Sequence, residues 1–278
     1  MIKFSILIAN YNNGKYFKEC YDSIIAQEYE NWEAVILDDA STDDSVSVIK
    51  NIIGADSRFR FFENTKNSGV GITKSKLIEL STGDICGFVD PDDAVTPTAV
   101  SSSIKNFQNK EVVLTYSIFM KCNEHLQPLS AFKTRQVKNN DPYFFNFPIQ
   151  IAHFVCFKRN IYLQTEKMNT AMKIAEDQDL YLKMYEKGKV KFINEVNYLY
   201  RFHSEGISQN DNKSKSYEYF AQVIFNAMKR RKLEKINGRK IPDQYTNSKE
   251  IYDLLEYQHS ISYRIKKKII IFAQQIFG

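Results

Sequence analysis

Three carboxylates lie within four residues of one another, directly after a short apolar run. The run covers residues 85–89, and Asp90, Asp92 and Asp93 follow it. Such a run predicts a buried strand, and open α/β sheets bind ligands at the carboxyl ends of their strands. Carboxylates are preferred ligands of Mg²⁺ and Mn²⁺, so these side chains are candidate ligands of an ion that is shared with a substrate phosphate. The alternative is a polar turn that leads into a helix cap.

A second acidic group, Glu176, Asp177 and Asp179, opens a segment with apolar residues at Leu180, Leu182, Met184 and Tyr185. This pattern predicts a helix that begins at the acidic group. Carboxylates in a first helical turn are favoured by the helix dipole, which is a structural explanation for them. The functional explanation is that one carboxylate removes a proton from a substrate hydroxyl, an effect worth roughly 10²–10⁴ in rate.

Apolar periodicity predicts the elements that would position these two acidic groups. The first part of the chain alternates between strands and helices, with short links between them. Strands are predicted at residues 4–9, 32–37, 58–63 and 84–89, and helices at 15–27, 45–53 and 71–80. This order is typical of a doubly wound nucleotide-binding sheet. A helix and a strand over 96–120 and a strand over 197–202 follow.

The composition is that of a soluble globular protein, with 43% hydrophobic and 26% charged residues in 278. The net charge of +5 comes with no nucleic-acid-binding motif, so nucleic acid is not an expected partner. The four cysteines show no CxxC spacing, which favours reduced thiols over a zinc site. The sequence predicts neither a signal peptide nor a membrane span. We therefore expect a cytoplasmic protein.

Several motifs occur in an order that resembles the inverting family 2 glycosyltransferases. They are SILIANYN (5–12), SIIAQ (23–27), LDDASTD (37–43), NSGVG (67–71), the acidic stretch at Asp90, Glu176-Asp177 and YRFH (200–203). The resemblance implies the GT-A fold, an α/β fold with a Rossmann-like, doubly wound mixed sheet and helices on both faces. We expect this domain over residues 1–209 and a helical C-terminal extension over 210–278.

The resemblance also implies an activity. These enzymes move a hexosyl or N-acetylhexosaminyl group from a nucleotide diphosphate donor to an acceptor, which we expect to be a saccharide or a lipid-linked saccharide. It favours UDP over GDP or dTDP in the donor. The abundance of Lys, Asn and Ile is typical of AT-rich, bacterial genomes, so polysaccharide biosynthesis at the cell envelope is the expected context.

The donor nucleotide is expected to bind at the ends of the first two strands. Tyr11 offers a flat face on which a base can stack. Asp38 or Asp39 can accept a hydrogen bond from the N–H of a uracil-like base, and the choice between them is open. Ala9 is expected to contribute backbone contacts. A turn with a helix cap is the structural alternative for the acidic pair.

The diphosphate is expected near Lys74 and His203. The glycine-rich loop at 67–71 lets the backbone approach a ligand closely. The family usually carries Arg on the following helix, where this chain has Lys74, which meets a phosphate as a point charge without a two-pronged contact. The resemblance places His203 near the diphosphate, as a donor or a metal ligand, whereas His125, His153 and His259 have no such context.

The resemblance implies that Asp177 is the catalytic base. Glu176 would then hold the acceptor or raise the pKa of Asp177. A Mn²⁺ or Mg²⁺ ion would be held by Asp92, with Asp90, Asp93 or His203 as further ligands.

Two other stretches have open interpretations. The aromatic residues at 143–148 either line the acceptor pocket or pack in the core, and core packing is favoured. The tail at 263–273 joins a basic cluster to an apolar run. It either contacts the inner face of an anionic membrane peripherally or packs on the domain as a last helix.

Two alternative functions belong to other classes. A nucleotidyltransferase shares the nucleotide-binding layout, but the first strand here lacks the glycine-rich basic loop that such enzymes carry. A non-catalytic protein that binds a nucleotide sugar is the other alternative. The presence of both acidic groups argues against it.

Overall fold

The computed structural model describes residues 1–144, 151–203 and 213–255, together with residues 261, 262, 265 and 269. Its strands are β1 (Phe4–Asn10), β2 (Trp32–Asp38), β3 (Phe59–Glu63), β4 (Ile85–Phe88), β5 (Ala94–Val95), β6 (Val112–Cys122), β7 (Pro128–Phe132), β8 (Cys156–Lys158), β9 (Lys189–Arg201), β10 (Lys235–Ile236) and β11 (Arg239–Lys240). Its helices are α1 (Phe17–Ile25), α2 (Ser45–Ile53), α3 (Val70–Leu80), α4 (Ala99–Phe107), α5 (Arg159–Tyr162), α6 (Glu176–Tyr185), α7 (Lys213–Arg230) and α8 (Ser248–Leu254).

The first four strands form a parallel sheet in the order β3-β2-β1-β4. The chain builds outward from β1 through β2 to β3 and then returns to the other side of β1 for β4. The reversal makes the carboxyl ends of β1 and β4 a topological switch point, where open α/β sheets leave a crevice for ligands. The predicted doubly wound arrangement is therefore confirmed in this half of the chain.

The second half of the sheet is mixed. β8 lies between β4 and β6 and is antiparallel to both, whereas β9 runs parallel to β6 and antiparallel to β5. β7 pairs with the C-terminal part of β6 in an antiparallel hairpin. β9 has 13 residues, and its carboxyl end therefore reaches the turn that follows β4.

Helices cover both faces of the sheet because side chains alternate along each strand. Ile6 and Ile8 of β1 pack with Phe17 of α1 in one buried cluster. Leu7 of β1 packs with Leu77 of α3 on the other face. The two clusters confirm the predicted helices on both faces.

Some predicted boundaries differ from the observed ones. The helix predicted at 15–27 is divided into a 3₁₀ turn at Gly14–Tyr16 and α1. In the predicted C-terminal extension, α7 begins at Lys213. The C-terminal extension also contains the β10–β11 hairpin.

α7 belongs to the core on the α3 side of the sheet. Its residues Ala221, Ile224 and Met228 are buried in the same cluster as Met184 and Tyr185 of α6. The domain boundary at residue 209 stays a prediction. The tail at 263–273 lies outside the described residues, apart from Ile265 and Ile269. Among the helices that are described, none combines the length and the apolar character needed to cross a membrane.

The side chain of Glu33 on β2 contacts residues of β1, of β3 and of the segment before β4. Its buried carboxylate accepts hydrogen bonds from the Ser5 hydroxyl (2.7 Å) and from the backbone N–H (2.6 Å) and hydroxyl (2.9 Å) of Thr82. Lys3 and Arg60 form ion pairs with it at 3.3 and 3.2 Å. Burial alone would raise the pKa of Glu33, but the hydrogen bonds from Thr82 and Ser5 overcome this effect and lower it to about 2.

We expect Glu33→Gln to lower the free energy of unfolding at neutral pH by about 1–3 kcal/mol, because a charged acceptor of several hydrogen bonds is lost. The folded pKa lies below the unfolded value of about 4.3, so this stabilisation is present above that pH and is lost as the pH falls toward 2. Urea unfolding of both proteins across the acid range measures the difference. An unchanged difference between the two proteins across that range would contradict the role of Glu33.

Candidate active site

The end of β9 holds the acidic turn that follows β4. Asp93 Oδ1 accepts the backbone N–H of Arg201 at 2.7 Å, and Nε of Arg201 donates to the carbonyl oxygen of Asp92 at 2.6 Å. Nε2 of His203 lies 2.8 Å from Oδ2 of Asp92. The turn and the strand are more than 100 residues apart in sequence, so the sheet pairing of β9 determines where the carboxylates lie.

Asp93 and Asp90 occupy different environments in this turn. Asp93 is buried and also hydrogen-bonds the hydroxyl of Tyr198, which accepts the N–H of Asp90 at 3.1 Å. Burial, followed by Asp92 and Asp90, raises the pKa of Asp93 well above its ordinary range. These contacts direct Asp93 toward β9. Its role as a metal ligand stays a prediction.

The predicted metal ligands Asp90, Asp92 and His203 lie close together in the structure. Burial and then the Asp90 carboxylate raise the pKa of Asp92, although His203 opposes this. Nδ1 of His203 is buried and has no hydrogen-bond partner within the described residues. Those residues contain no group of three or more acidic, His or Cys side chains that completes a metal site alone. Asp90, Asp92 and His203 carry the oxygen and nitrogen atoms that bind divalent ions, but an ion here would need further ligands from a substrate phosphate, and their role stays a prediction.

A buried ion pair crosses the cleft between α3 and α6. Nζ of Lys74 lies 2.8 Å from Oε1 of Glu176, and both side chains are largely buried. The Lys74 ammonium also lies 5.4 Å from the ring centroid of Phe88, next to the acidic turn. Burial alone would lower the pKa of Lys74, but Glu176, Asp90 and Asp177 raise it above its ordinary value. Lys74 therefore stays charged and links the two acidic groups.

Asp177, the predicted general base, lies in the same cleft, and its role stays a prediction. Its Oδ1 accepts the backbone N–H of Gln178 at 2.7 Å. Burial and then the Glu176 carboxylate raise the pKa of Asp177 to about 6, whereas Lys74 opposes this. A carboxylate with this pKa is ionised at neutral pH, yet it is more basic than an ordinary Asp. The predicted effect of Glu176 on the pKa of Asp177 agrees with this arrangement.

Left-handed backbone conformations flank the predicted site residues. Asn12 follows Tyr11 with φ of 55°, Ala40 follows the acidic pair on β2 with φ of 62°, and Ala175 precedes Glu176 with φ of 64°. A residue with a Cβ atom in this region costs of order 1–2 kcal/mol. Such strain is concentrated at functional sites, where the surrounding contacts enforce it.

The acidic pair after β2 forms loop contacts. Asp38 is buried, and its carboxylate accepts hydrogen bonds from Asn10 Nδ2 (2.7 Å) and from the N–H (2.8 Å) and hydroxyl (2.6 Å) of Ser41. Asp39 accepts the N–H groups of Ser68 (2.9 Å) and Gly69 (2.8 Å). Asp38 thus fixes the turn after β2, and Asp39 fixes the glycine-rich loop before α3. A role of either residue in reading the base stays a prediction.

The other two predicted nucleotide contacts lie at the carboxyl end of β1. Tyr11 is 44% exposed, so its ring is accessible to a base. Ala9 pairs with Leu37 of β2. On the other side of β1, the pairing with β4 ends at Leu7, so the backbone of Ala9 is not paired with β4. Both positions suit the predicted contacts, which remain predictions.

Three residues in the cleft were not identified from the sequence as site residues in their own right. Arg201 and Tyr198 form hydrogen bonds with the backbone of the acidic turn. His153 stacks on Tyr198 with ring centroids 4.6 Å apart. The periodicity of β9 gives a signal for Tyr198, which shares one face with Tyr200 and Phe202, whereas Arg201 lies on the opposite face. No local signal marks His153, because the pairing of β8 brings it to the cleft.

The predicted aromatic stretch at 143–148 is described only in part. Phe144 is buried and stacks on Tyr185 of α6 with ring centroids 4.4 Å apart. This contact agrees with core packing, the favoured interpretation. Phe145 and Phe147 lie outside the described residues.

Comparisons with known proteins identify one family. The sequence model of "Glycosyl transferase family 2" matches residues 5–164, which is more than half of the chain. The chondroitin synthase of Pasteurella multocida is 26% identical over 272 residues. That match covers 96% of this chain and 27% of the relative, so the chain spans about a quarter of the length of this relative.

Solved structures share the fold. TarS residues 1–349 from S. aureus, in complex with UDP-GlcNAc, aligns with a TM-score of 0.67 and 14% identity over 98% of this chain and 78% of that one. The mannosyltransferase PcManGT from Pyrobaculum calidifontis, in complex with GDP-Man and Mn²⁺, aligns with a TM-score of 0.64 and 16% identity over 92% of this chain and 69% of that one. The predicted GT-A fold is confirmed.

We expect Lys74→Met to destabilise the protein by about 3 kcal/mol, because it leaves the buried Glu176 carboxylate without its partner. The double variant Lys74→Met/Glu176→Leu should recover most of this loss, since no unpaired charge remains. Chemical denaturation measures both. Lys18→Met removes the exposed ion pair with Asp22 and serves as the matched control, with an expected change below about 1 kcal/mol. A double variant that is as unstable as Lys74→Met would contradict this account.

Proposed function

We propose that this chain, which belongs to glycosyl transferase family 2, transfers a sugar from a UDP-sugar to a saccharide acceptor with inversion at the anomeric carbon. The observation that carries the proposal is the position of Asp177. This carboxylate, with a pKa of about 6, shares a cleft with the charged Lys74 and the acidic turn at Asp90. A base on one side of the cleft and a phosphate- and metal-binding group on the other suit a direct displacement.

The saccharide acceptor is proposed from the chemistry of the cleft and from one relative. That relative is named a chondroitin synthase, but this chain spans only about a quarter of it. UDP is proposed as the donor nucleotide because of the motifs at the ends of β1 and β2 and because TarS residues 1–349 were solved with UDP-GlcNAc. A lipid-linked saccharide remains within the acceptor class.

The proposed mechanism has one step. Asp177 takes the proton of the acceptor hydroxyl, whose oxygen forms a bond to the anomeric carbon of the donor. The bond between that carbon and the diphosphate oxygen breaks at the same time, and the diphosphate leaves with the electron pair. Lys74 supplies a fixed positive charge next to the leaving group, in a cleft where burial strengthens electrostatic interactions.

Asp92 and Asp90, with His203, are the residues that would hold Mn²⁺ or Mg²⁺. The ion, when bound, supplies Lewis-acid neutralisation of the departing diphosphate. Arg201 and Tyr198 keep the acidic turn in place through its backbone and through Asp93. Glu176 stays paired with Lys74 and raises the pKa of the base beside it.

The donor proposal is tested by thermal unfolding with UDP, GDP or dTDP, each with Mn²⁺ or with EDTA. We expect UDP with Mn²⁺ to raise the unfolding temperature, because a ligand at about 100 times its Kd adds roughly 2.7 kcal/mol of stability. The shift should be lost with EDTA and in Asp92→Ala. Leu129→Ala, at an exposed position far from the acidic turn, is the control and should keep it.

Each other outcome of this experiment has a defined meaning. A larger shift with GDP or dTDP would replace UDP as the proposed donor nucleotide. A shift that survives EDTA would contradict the metal dependence. No shift with any nucleotide would contradict the proposed donor site.

We expect Asp177→Asn to lower kcat by about 10²–10⁴, because the acceptor proton loses its base. The UDP-dependent thermal shift should remain. In the wild type, kcat/KM should fall as the pH drops below about 6, since protonation of Asp177 removes the base. Turnover with a panel of UDP-sugars and saccharide acceptors measures these effects, and Gln178→Ala is the neighbouring control. Normal turnover in Asp177→Asn would remove this residue from the mechanism.

A further inference from the structure

A row of aromatic side chains lies on one face of β6, β7 and β9. Phe119 of β6 pairs with Phe132 of β7 and with Tyr198 of β9, and Lys121 pairs with Tyr200. Because side chains two residues apart point to the same face of a strand, these residues share a face. Phe202 directly follows β9 and continues the row.

The rings are in contact along the row. Phe119 and Phe132 are stacked with centroids 4.8 Å apart, and Tyr200 lies 5.7 Å from Phe119 and 5.2 Å from Phe202. His153 lies 6.0 Å from Tyr200 with the two rings nearly parallel. The centroid distances are those of aromatic pairs that pack against one another.

One end of this row reaches the catalytic cleft. The ring of His153 stacks on Tyr198, whose hydroxyl accepts the N–H of Asp90. His153 also lies within the electrostatic reach of Asp90 and Lys74, and burial lowers its pKa, so the ring is a neutral, flat surface. The row is therefore joined to the acidic turn by packing through the fully buried Tyr198.

The other end of the row is open to solvent. Phe132 and Phe202 are 38% and 37% exposed. Nζ of Lys121 lies 5.7 Å from the centroid of the Phe132 ring and 5.6 Å from that of Phe202. Exposed apolar rings with a polar group between them are typical of a binding surface.

We propose that Phe119, Phe132, Tyr200 and Phe202, with Lys121 and His153, form a subsite for the acceptor glycan, several sugars away from the hydroxyl that reacts. The assignment rests on the proposed function, since it places the reacting end of the acceptor at Asp177. The remainder of a glycan chain must then leave the cleft along a surface, and the exposed rings of this row lie on the strands that also hold the acidic turn. The C–H faces of sugar rings pack on flat aromatic rings, while Lys121 and the Tyr200 hydroxyl can meet sugar oxygens at the edges.

The subsite makes a length-dependent prediction. A short acceptor reaches only the cleft, whereas a longer one also reaches Phe132 and Phe202. The probes are chondroitin oligosaccharides of increasing length and an array of bacterial surface oligosaccharides that also contains short and long members of each series. Binding to the wild type should strengthen with length in at least one series.

We expect Phe132→Ala/Phe202→Ala to weaken binding of the long members by roughly tenfold and to leave the short members unchanged. Phe132→Leu/Phe202→Leu keeps the apolar bulk but removes the flat rings, and it should show the same loss. Leu129→Ala is the matched control, because Leu129 is exposed on β7 at the irregular position between the paired residues Pro128 and Ser130. The UDP-dependent thermal shift should persist in all variants, which shows that they are folded.

The outcomes separate this inference from the proposed function. An equal loss for short and long members, an equal loss in Leu129→Ala, or no oligosaccharide binding by the wild type would overturn the subsite, even where the UDP shift is intact. A wild-type dimer that dissociates in the double variants would assign the surface to a second copy of the chain. Absence of the UDP shift in the wild type would instead count against the proposed function.

Discussion

Repulsion between carboxylates is the constraint on which this structure depends. The turn after β4 and the start of α6 place Asp90, Asp92, Asp93, Glu176 and Asp177 around one cleft. Two unit charges 4 Å apart interact by about 4 kcal/mol at the effective dielectric constant near a protein surface. The pKa values of Asp92, Asp93 and Asp177 are raised above their ordinary range, first by burial and then by this repulsion from neighbouring carboxylates.

Cations from two distant elements balance this charge, and the sheet topology brings them there. Lys74 comes from α3, on the parallel side of the sheet, whereas Arg201 comes from the end of β9. β9 can reach the acidic turn because it is long and runs parallel to β6. The antiparallel insertion of β8 between β4 and β6 sets the distance between these two sources. The mixed half of the sheet therefore matters for the site as much as the parallel half does.

The parallel half could be predicted from the sequence because its signals are local. Each strand from β1 to β4 is a short apolar run, and the predicted strand and helix positions agree with the structure to within a few residues. The acidic groups were also visible, since Asp90 and Asp177 each stand at the end or start of such a pattern. Arg201 and His153 were not, because their contacts with the acidic turn and with Tyr198 join residues that are far apart in sequence. The contacts of Asp38 and Asp39 could not be predicted for a different reason. Their hydrogen bonds stabilise two different loops, and the turn-like sequence does not indicate which loop each carboxylate contacts.

The strained residues show how loop contacts and catalysis are connected. Ala40 adopts a left-handed conformation directly after Asp39, and the hydrogen bonds from Ser41 to Asp38 hold the turn on its other side. Ala175 adopts the same conformation, and its carbonyl accepts the N–H of Asp179 at 3.1 Å, so the first turn of α6 is hydrogen-bonded from the strained residue onward. Because that turn carries Glu176 and Asp177, the strain at Ala175 sets the direction in which the acidic pair enters the cleft. The ion pair between Glu176 and Lys74 then holds α6 against α3, and the conformation that orients the base is maintained by the same charge that limits its pKa.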